Sequence, residues 1–225
     1  MNKEPSLLNF GDTVGEDGIW VQLLNPVQGL GVRPTLFLDR DGVILVETNY
    51  LHTAEETALI GGAIETIRNA NASAIPVVVV TNQSGIGREM YGWSDFAVVQ
   101  ETMLNLLAEG DAYLNAVMAC PFHPDANAPW NVQDHPDRKP NPGMIVRAEK
   151  ILPIDLSLSW IVGDHATDLE AGKRAGLKGG MHVLSGHGSH PNERAAATNC
   201  AAANYTVLKG LSIADAVEKI PLFIK

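Results

Sequence analysis

The chain has 225 residues, 45% of them hydrophobic and 19% charged, the balance of a globular chain with a core and not of a disordered one. Its formal net charge of −10 argues against general nucleic-acid binding, because phosphate backbones need Lys and Arg to displace their counterions. No apolar run approaches the roughly 18–20 residues of a bilayer span. Residues 1–5 have no signal-peptide core behind them, and two cysteines make no disulfide framework. The expected setting is the cytoplasm, with neither nucleic acid nor membrane as partner.

Residues 1–33 hold many Gly, Asp and Pro positions around one apolar piece at 19–24. They read as an extension packed on the domain, with one edge strand at most. A single domain is expected over 34–225. Strand-like runs at 35–38, 77–80, 116–119, 160–162, 181–184 and 205–208 alternate there with helical patterns near 63–72, 94–109, 143–151, 167–175 and 212–219. Such alternation predicts βαβ units and a mainly parallel sheet, a Rossmann-like three-layer α/β sandwich. The run Val77-Val78-Val79-Val80 suits a strand covered on both faces. Phe96, Val99, Met103 and Leu106 recur at helical spacing, a stripe read as ordinary packing. The Pro-, Asp-, Asn- and His-rich stretch 121–142 predicts a long structured loop. Segment 185–199 reads as a second polar loop, with His187 and His190 in solvent.

Four strand or helix ends carry chemistry. Asp39-Arg40-Asp41-Gly42 closes the first core run, and two carboxylates so placed can bind a hard cation while one oxygen stays free to attack. The second run ends in Thr81-Asn82-Gln83-Ser84-Gly85, where a hydroxyl and backbone amides can hold phosphate oxygens; a strand-capping turn accounts for it equally. Arg138-Lys139-Pro140 opens a helix, and a lysine held rigidly there can neutralise a carboxylate or a phosphoryl group; alone it is also a plain basic turn. Asp164-His165-Ala166-Thr167-Asp168 leads another strand into a helix, offering either a metal carboxylate or simple helix-dipole complementation.

Asp-x-Asp, Thr, Lys and Asp, delivered in that order, resemble the haloacid dehalogenase superfamily of aspartate-nucleophile phosphatases over roughly residues 34 to 220. The runs at 39–43, 47–50, 81–86, 138–144 and 163–168 resemble the heptose 1,7-bisphosphate phosphatase and histidinol-phosphatase branch. That resemblance implies Asp39 as nucleophile, Asp41 as acid and base, and Thr81 and Lys139 as stabilisers of the phosphoryl group. It implies Mg²⁺ held by Asp39, Asp41 and Asp164, with Asp168 in the outer shell. Substrate contacts are expected from Glu47, Thr48, Asn49, Tyr50, Asn82, Gln83, Ser84, Arg138 and His165; the heptose enzymes carry lysine where this chain has His165. The intervals 41–81 and 81–139 are too short for an inserted cap domain, so a capless, open cleft is expected.

The implied reaction is phosphomonoester hydrolysis through an aspartyl-phosphate. The implied substrate is a small phosphorylated sugar, foremost D-glycero-D-manno-heptose 1,7-bisphosphate, acted on by a monomer. Histidinol phosphate, another small phosphate ester, and a non-catalytic phosphate-binding module are the alternatives. The branch binds a structural zinc through a Cys-x-His and a Cys-x-Cys pair; here those positions read Cys120-Pro121-Phe122-His123 and His135-Pro136-Asp137. Cys120, His123, His135 and Asp137 would compose a degenerate mixed site for Zn²⁺. A loop held by its prolines, Trp130 and hydrogen bonds without zinc is the reading favoured.

Overall fold

A computed structural model describes residues 13–25 and 31–224. Of the extension expected over 1–33, residues 1–12 and 26–30 therefore lie outside the described residues. Among the described residues seven strands form one sheet: β1 (Trp20–Leu23), β2 (Leu36–Leu38), β3 (Val77–Asn82), β4 (Ala116–Cys120), β5 (Trp160–Gly163), β6 (Gly179–His182) and β7 (Thr206–Lys209). Their spatial order is β1-β4-β3-β2-β5-β6-β7. Every pairing is parallel except β1 with β4, which is antiparallel and sets Trp20 opposite Ala119 and Leu23 opposite Ala116. The apolar piece of the extension is thus an edge strand of the same sheet.

Helices α1 (Ala63–Ala72), α2 (Ser84–Gly87), α3 (Trp93–Glu109), α4 (Gly143–Ile151), α5 (Ala166–Arg174), α6 (Glu193–Asn199) and α7 (Ala216–Lys219) cover the two faces. Alternate strand residues feed two cores. Leu36, Leu38, Val77, Val79 and Val162 pack with Ile67 of α1 and Phe96 and Met103 of α3, while Phe37, Val78, Val80 and Ile161 pack with Met144 of α4 and Leu169 of α5. This two-sided burial is what the unbroken valine run requires. Among the described residues no inserted domain separates these elements, so the sandwich is capless.

Three expectations shift. The strand expected at 181–184 runs instead over Gly179–His182, because its glycines are spacers and not breakers. A Cβ on Gly179 would lie 2.6 Å from the Trp160 ring, and one on Gly180 would lie 2.6 Å from the Tyr205 hydroxyl. The polar segment 185–199 folds as a 3₁₀ turn, Gly186–Ser189, followed by α6. The helix expected at 212–219 divides into a 3₁₀ turn, Ile213–Asp215, and the short α7.

The chain steps from β2 to β3 on one side and resumes at β5 on the other. Open α/β sheets place their ligands at such a reversal, outside the strand C-termini. Asp39, Thr81 and Asp164 occupy those ends.

Candidate active site

Asp39 follows β2, and its amide donates to Val162 O of β5 at 3.0 Å. The carboxylate is buried. Its Oδ1 accepts from the Arg40 amide at 2.7 Å and lies 2.9 Å from Lys139 Nζ. Both contacts fall on Oδ1, which leaves Oδ2 for a second partner. Lys139 is buried and spends all three donors on the protein: Asp39 Oδ1, Asp168 Oδ1 at 2.6 Å and Val80 O at 2.8 Å. Asn82 fixes the backbone of that lysine, accepting from Lys139 N at 3.0 Å and donating to Lys139 O at 3.1 Å. Burial alone would lower the Lys139 ammonium, but Asp168 and Asp39 outweigh it and hold it charged.

Asp41 lies beside a second buried cation. Arg40, 1% exposed, grips its carboxylate through Nε and Nη2 at 3.1 Å and stands 4.8 Å over the Phe96 ring. Gln83 completes the arrangement. Its Nε2 donates to Asp41 Oδ2 at 2.8 Å and to Thr81 Oγ1 at 2.9 Å, while its Oε1 accepts from Tyr91 OH at 2.6 Å and Arg40 Nη2 at 3.2 Å. Gln83, expected to touch substrate, lines the cleft; its amide is also bonded on both sides and orients Asp41 and Thr81.

Asp164 is fully buried at the end of β5. Oδ2 accepts from the His187 amide at 2.7 Å, and Oδ1 has no hydrogen-bond partner. Two glycines wall it in: a Cβ on Gly42 (φ +78°) would stand 2.2 Å from Asp164 Oδ2, and one on Gly186 (φ +58°) would stand 2.3 Å away. One ligand oxygen each from Asp39, Asp164 and Asp168 falls within 4.8 Å of the others. Burial raises the carboxyls of Asp39 and Asp164, with Lys139 opposing and neighbouring carboxylates adding to the shift. When ionised, three carboxylates facing one ammonium leave two negative charges, an arrangement that a divalent hard cation balances. The orphaned Asp164 Oδ1 fits a ligand to such an ion. Asp168 also accepts from the His165 amide at 3.0 Å and so caps α5.

These groups line a cleft of about 400 Å³. Glu47, Asn49 and Tyr50 form one wall, with Asn49 and Tyr50 at positive φ, and the Glu47 carboxylate receives the Asn49 amide at 2.5 Å. Arg88 steadies that wall by donating to Tyr50 OH at 3.0 Å. Asn82, Ser84, Arg138 and His165 also border the cleft. Thr48 does not: it is exposed and outside the lining, because the turn at 47–50 points it to solvent. Tyr91, Thr167 and His187 are lining residues that the sequence reading missed. His187 in particular was expected in solvent, yet burial and the adjoining His165 lower its imidazole below the ordinary value.

The four zinc candidates are not brought together. Among the described residues the gathered metal-ligand groups involve neither Cys120 nor His123, His135 or Asp137. His123 takes the Arg88 guanidinium at 2.9 Å, and Asp137 is clamped by Arg147 at 2.6 and 2.8 Å. Phe122, standing where the branch has a ligand, stacks on His135 with ring centroids 3.7 Å apart and meets Trp130 edge-on. Burial pushes the Cys120 thiol up to about 12, far from a ready thiolate.

Comparison with known proteins identifies the family. The HAD-hydrolase-like family model matches residues 137–212. A D-glycero-beta-D-manno-heptose-1,7-bisphosphate 7-phosphatase of Mesorhizobium japonicum is 47% identical over 168 residues, which cover 75% of this chain and 77% of that protein. The chain belongs to the haloacid dehalogenase-like phosphatases. The equivalent Escherichia coli K12 enzyme is 36% identical over 73% of this chain and 86% of its own. A HAD-like phosphatase structure from Mesorhizobium loti superposes with a TM-score of 0.74 at 40% identity, covering 85% of this chain and all but 1% of that one (99%). A D,D-heptose 1,7-bisphosphate phosphatase from B. bronchiseptica, solved with magnesium and phosphate, gives 0.69 at 26% identity over 83% of this chain and 97% of that one. As a member of this family the chain is a hydrolase of phosphoric monoesters.

Proposed function

We propose that this chain removes the 7-phosphate of D-glycero-D-manno-heptose 1,7-bisphosphate in a Mg²⁺-dependent reaction through an aspartyl-phosphate on Asp39. The observation that carries the proposal is Asp39 itself: a buried carboxylate at the end of the central strand, tied by Oδ1 to Lys139 Nζ at 2.9 Å and lining the cleft. The names of its relatives support the substrate.

Asp39 and Asp164, with the backbone at Asp41, would hold the Mg²⁺, and Asp168 would act from outside that shell. The ion supplies charge that lets a phosphate dianion approach carboxylates. The chain's own residues do the rest. Asp39 Oδ2 attacks phosphorus as the bond to the sugar oxygen breaks, and Asp41 gives that oxygen its proton. Asp41 then takes a proton from water, which attacks the same phosphorus; the Asp39–phosphorus bond breaks and inorganic phosphate leaves. Lys139, fully engaged by the two buried carboxylates and Val80 O, keeps Asp39 ionised and aimed. Thr81 and the amides after it receive phosphoryl oxygens. Glu47, Asn49, Tyr50, Arg138 and His165 would hold the sugar and its remaining phosphate. Unpaired buried Cys120 and Cys200 support a reducing, cytoplasmic setting. No helix among the described residues is long and apolar enough to cross a membrane.

The test is phosphate release from the heptose bisphosphate, histidinol phosphate and p-nitrophenyl phosphate, with Mg²⁺ or EDTA. We expect Mg²⁺-dependent release of one phosphate, the highest kcat/KM on the heptose, and loss of at least about 10⁴-fold in Asp39→Asn. Equal turnover by Asp39→Asn would remove the nucleophile, and preference for histidinol phosphate would overturn the substrate.

A further inference from the structure

Asp164 belongs to two groups of potential ligands. One is the all-carboxylate set with Asp39 and Asp168. The other joins Asp164 to His165 and His187, again with one ligand atom from each within 4.8 Å of the others. The two sets differ in chemistry. Carboxylates suit Mg²⁺, whereas imidazoles suit borderline cations such as Zn²⁺.

We propose that Asp164, His165 and His187 form a second cation site, selective for Zn²⁺-type ions, which shares Asp164 with the carboxylate set. It is a different place from the 120–137 loop. His187 Nδ1 lies 3.7 Å from Asp164 Oδ2. Zinc–nitrogen and zinc–oxygen bonds of about 2.0–2.2 Å separate neighbouring ligand atoms by roughly 3–4 Å, so one ion spans that gap. The His187 amide, bonded to the same oxygen at 2.7 Å, fixes the imidazole's own backbone against the carboxylate.

The second imidazole is oriented from behind. His165 Nδ1 stands 3.5 Å from Glu193 Oε1, and Glu193 is itself anchored by the Ala166 amide, which donates to Oε2 at 2.8 Å. Ligating histidines characteristically have a carboxylate placed behind the ring in this way. The His165 and His187 rings stack with centroids 4.9 Å apart and 24° between planes. Asp164 Oδ1, buried and without a hydrogen-bond partner, is available to the carboxylate set while Oδ2 serves this one. All three residues line the cleft of about 400 Å³, which gives an ion its way in. Two cations on the two oxygens of one aspartate repel each other, so Zn²⁺ here weakens Mg²⁺ binding.

The test measures binding, and its outcome does not depend on the reaction proposed above. Zn²⁺ and Mg²⁺ are titrated calorimetrically into wild type and His187→Phe, which keeps the ring stack and the backbone amide but removes the imidazole nitrogens. Circular dichroism confirms that the variant folds. We expect His187→Phe to bind Zn²⁺ at least about tenfold more weakly while its Mg²⁺ affinity moves by less than about twofold. Mg²⁺ should also raise the apparent Zn²⁺ dissociation constant of the wild type. Histidine side-chain nitrogen resonances of His165 and His187 should shift together on Zn²⁺ addition. Unchanged Zn²⁺ affinity in His187→Phe, or an equal loss of both ions, overturns the site.

Discussion

Gln83 ties four groups together: Asp41, Thr81, Arg40 and Tyr91 all bond to its one amide. An amide can serve there because it presents two donors and an acceptor with two lone pairs in one plane. Gln83→Leu keeps the volume, removes those bonds and leaves Asp41 held by Arg40 alone. The expected result is a 10²-fold order fall in kcat, about the share general acid–base catalysis supplies, with KM changed far less. Steady-state kinetics check it, and a pure KM effect would return Gln83 to the substrate contacts where the sequence had placed it. The candidate set that the structure gathers was legible because its members sit in contiguous motifs at strand ends, where position alone suggests convergence. Arg40 lay inside the first motif unnoticed, since nothing in Asp-Arg-Asp tells that the arginine turns back onto its neighbour. Tyr91 and His187 come from segments with no motif, and only the fold brings them to the cleft. The zinc candidates failed for a related reason. Their order in the chain suited a site, but Arg88, Arg147 and Phe122 supply partners that spacing does not disclose.

Among elements, the strands and the larger helices could be read because two-sided burial writes unbroken apolar runs and amphipathic stripes into the chain. Helix α6 could not, since Ala197 is its one buried residue and no stripe forms. Edge strand β1 lies between these cases: its apolar piece was visible, its depth in the core was not. Trp20 is fully buried, stacked on Trp93 at 5.6 Å between ring centroids and set edge-on to Phe96 at 5.0 Å. That cluster pins β1 to α3. Trp20→Ala is expected to destabilise the fold by about 3–5 kcal/mol, read from the urea midpoint at unchanged m-value. A loss under about 1 kcal/mol would make β1 an appendage and not a part of the core.

At the scale of the molecule, one buried cluster of carboxyls couples stability to pH. Burial raises both Asp39 and Asp164 above the ordinary 3.8, so without a metal the folded chain holds more protons than the unfolded chain above that pH. Their contribution is therefore fully present in acid and is lost as pH rises through the raised values. A divalent cation replaces those protons, so its stabilisation must grow with pH. Calorimetric melting with EDTA and with Mg²⁺, from about pH 5 to about pH 8, is expected to show a Tm gap that widens as pH rises. A constant gap would mean that the carboxyls are not what the ion meets. A different consequence follows from the antiparallel pairing of β1 with β4. Strand β4 is apolar and buried along its whole length, and among the described residues β1 is its one neighbour on that side. Cleavage that freed the segment before residue 25 would uncover a flat, uncharged row of unpaired amides and carbonyls, the surface on which foreign strands add. Such a nicked molecule would keep its catalytic groups and become a seed for its own aggregation.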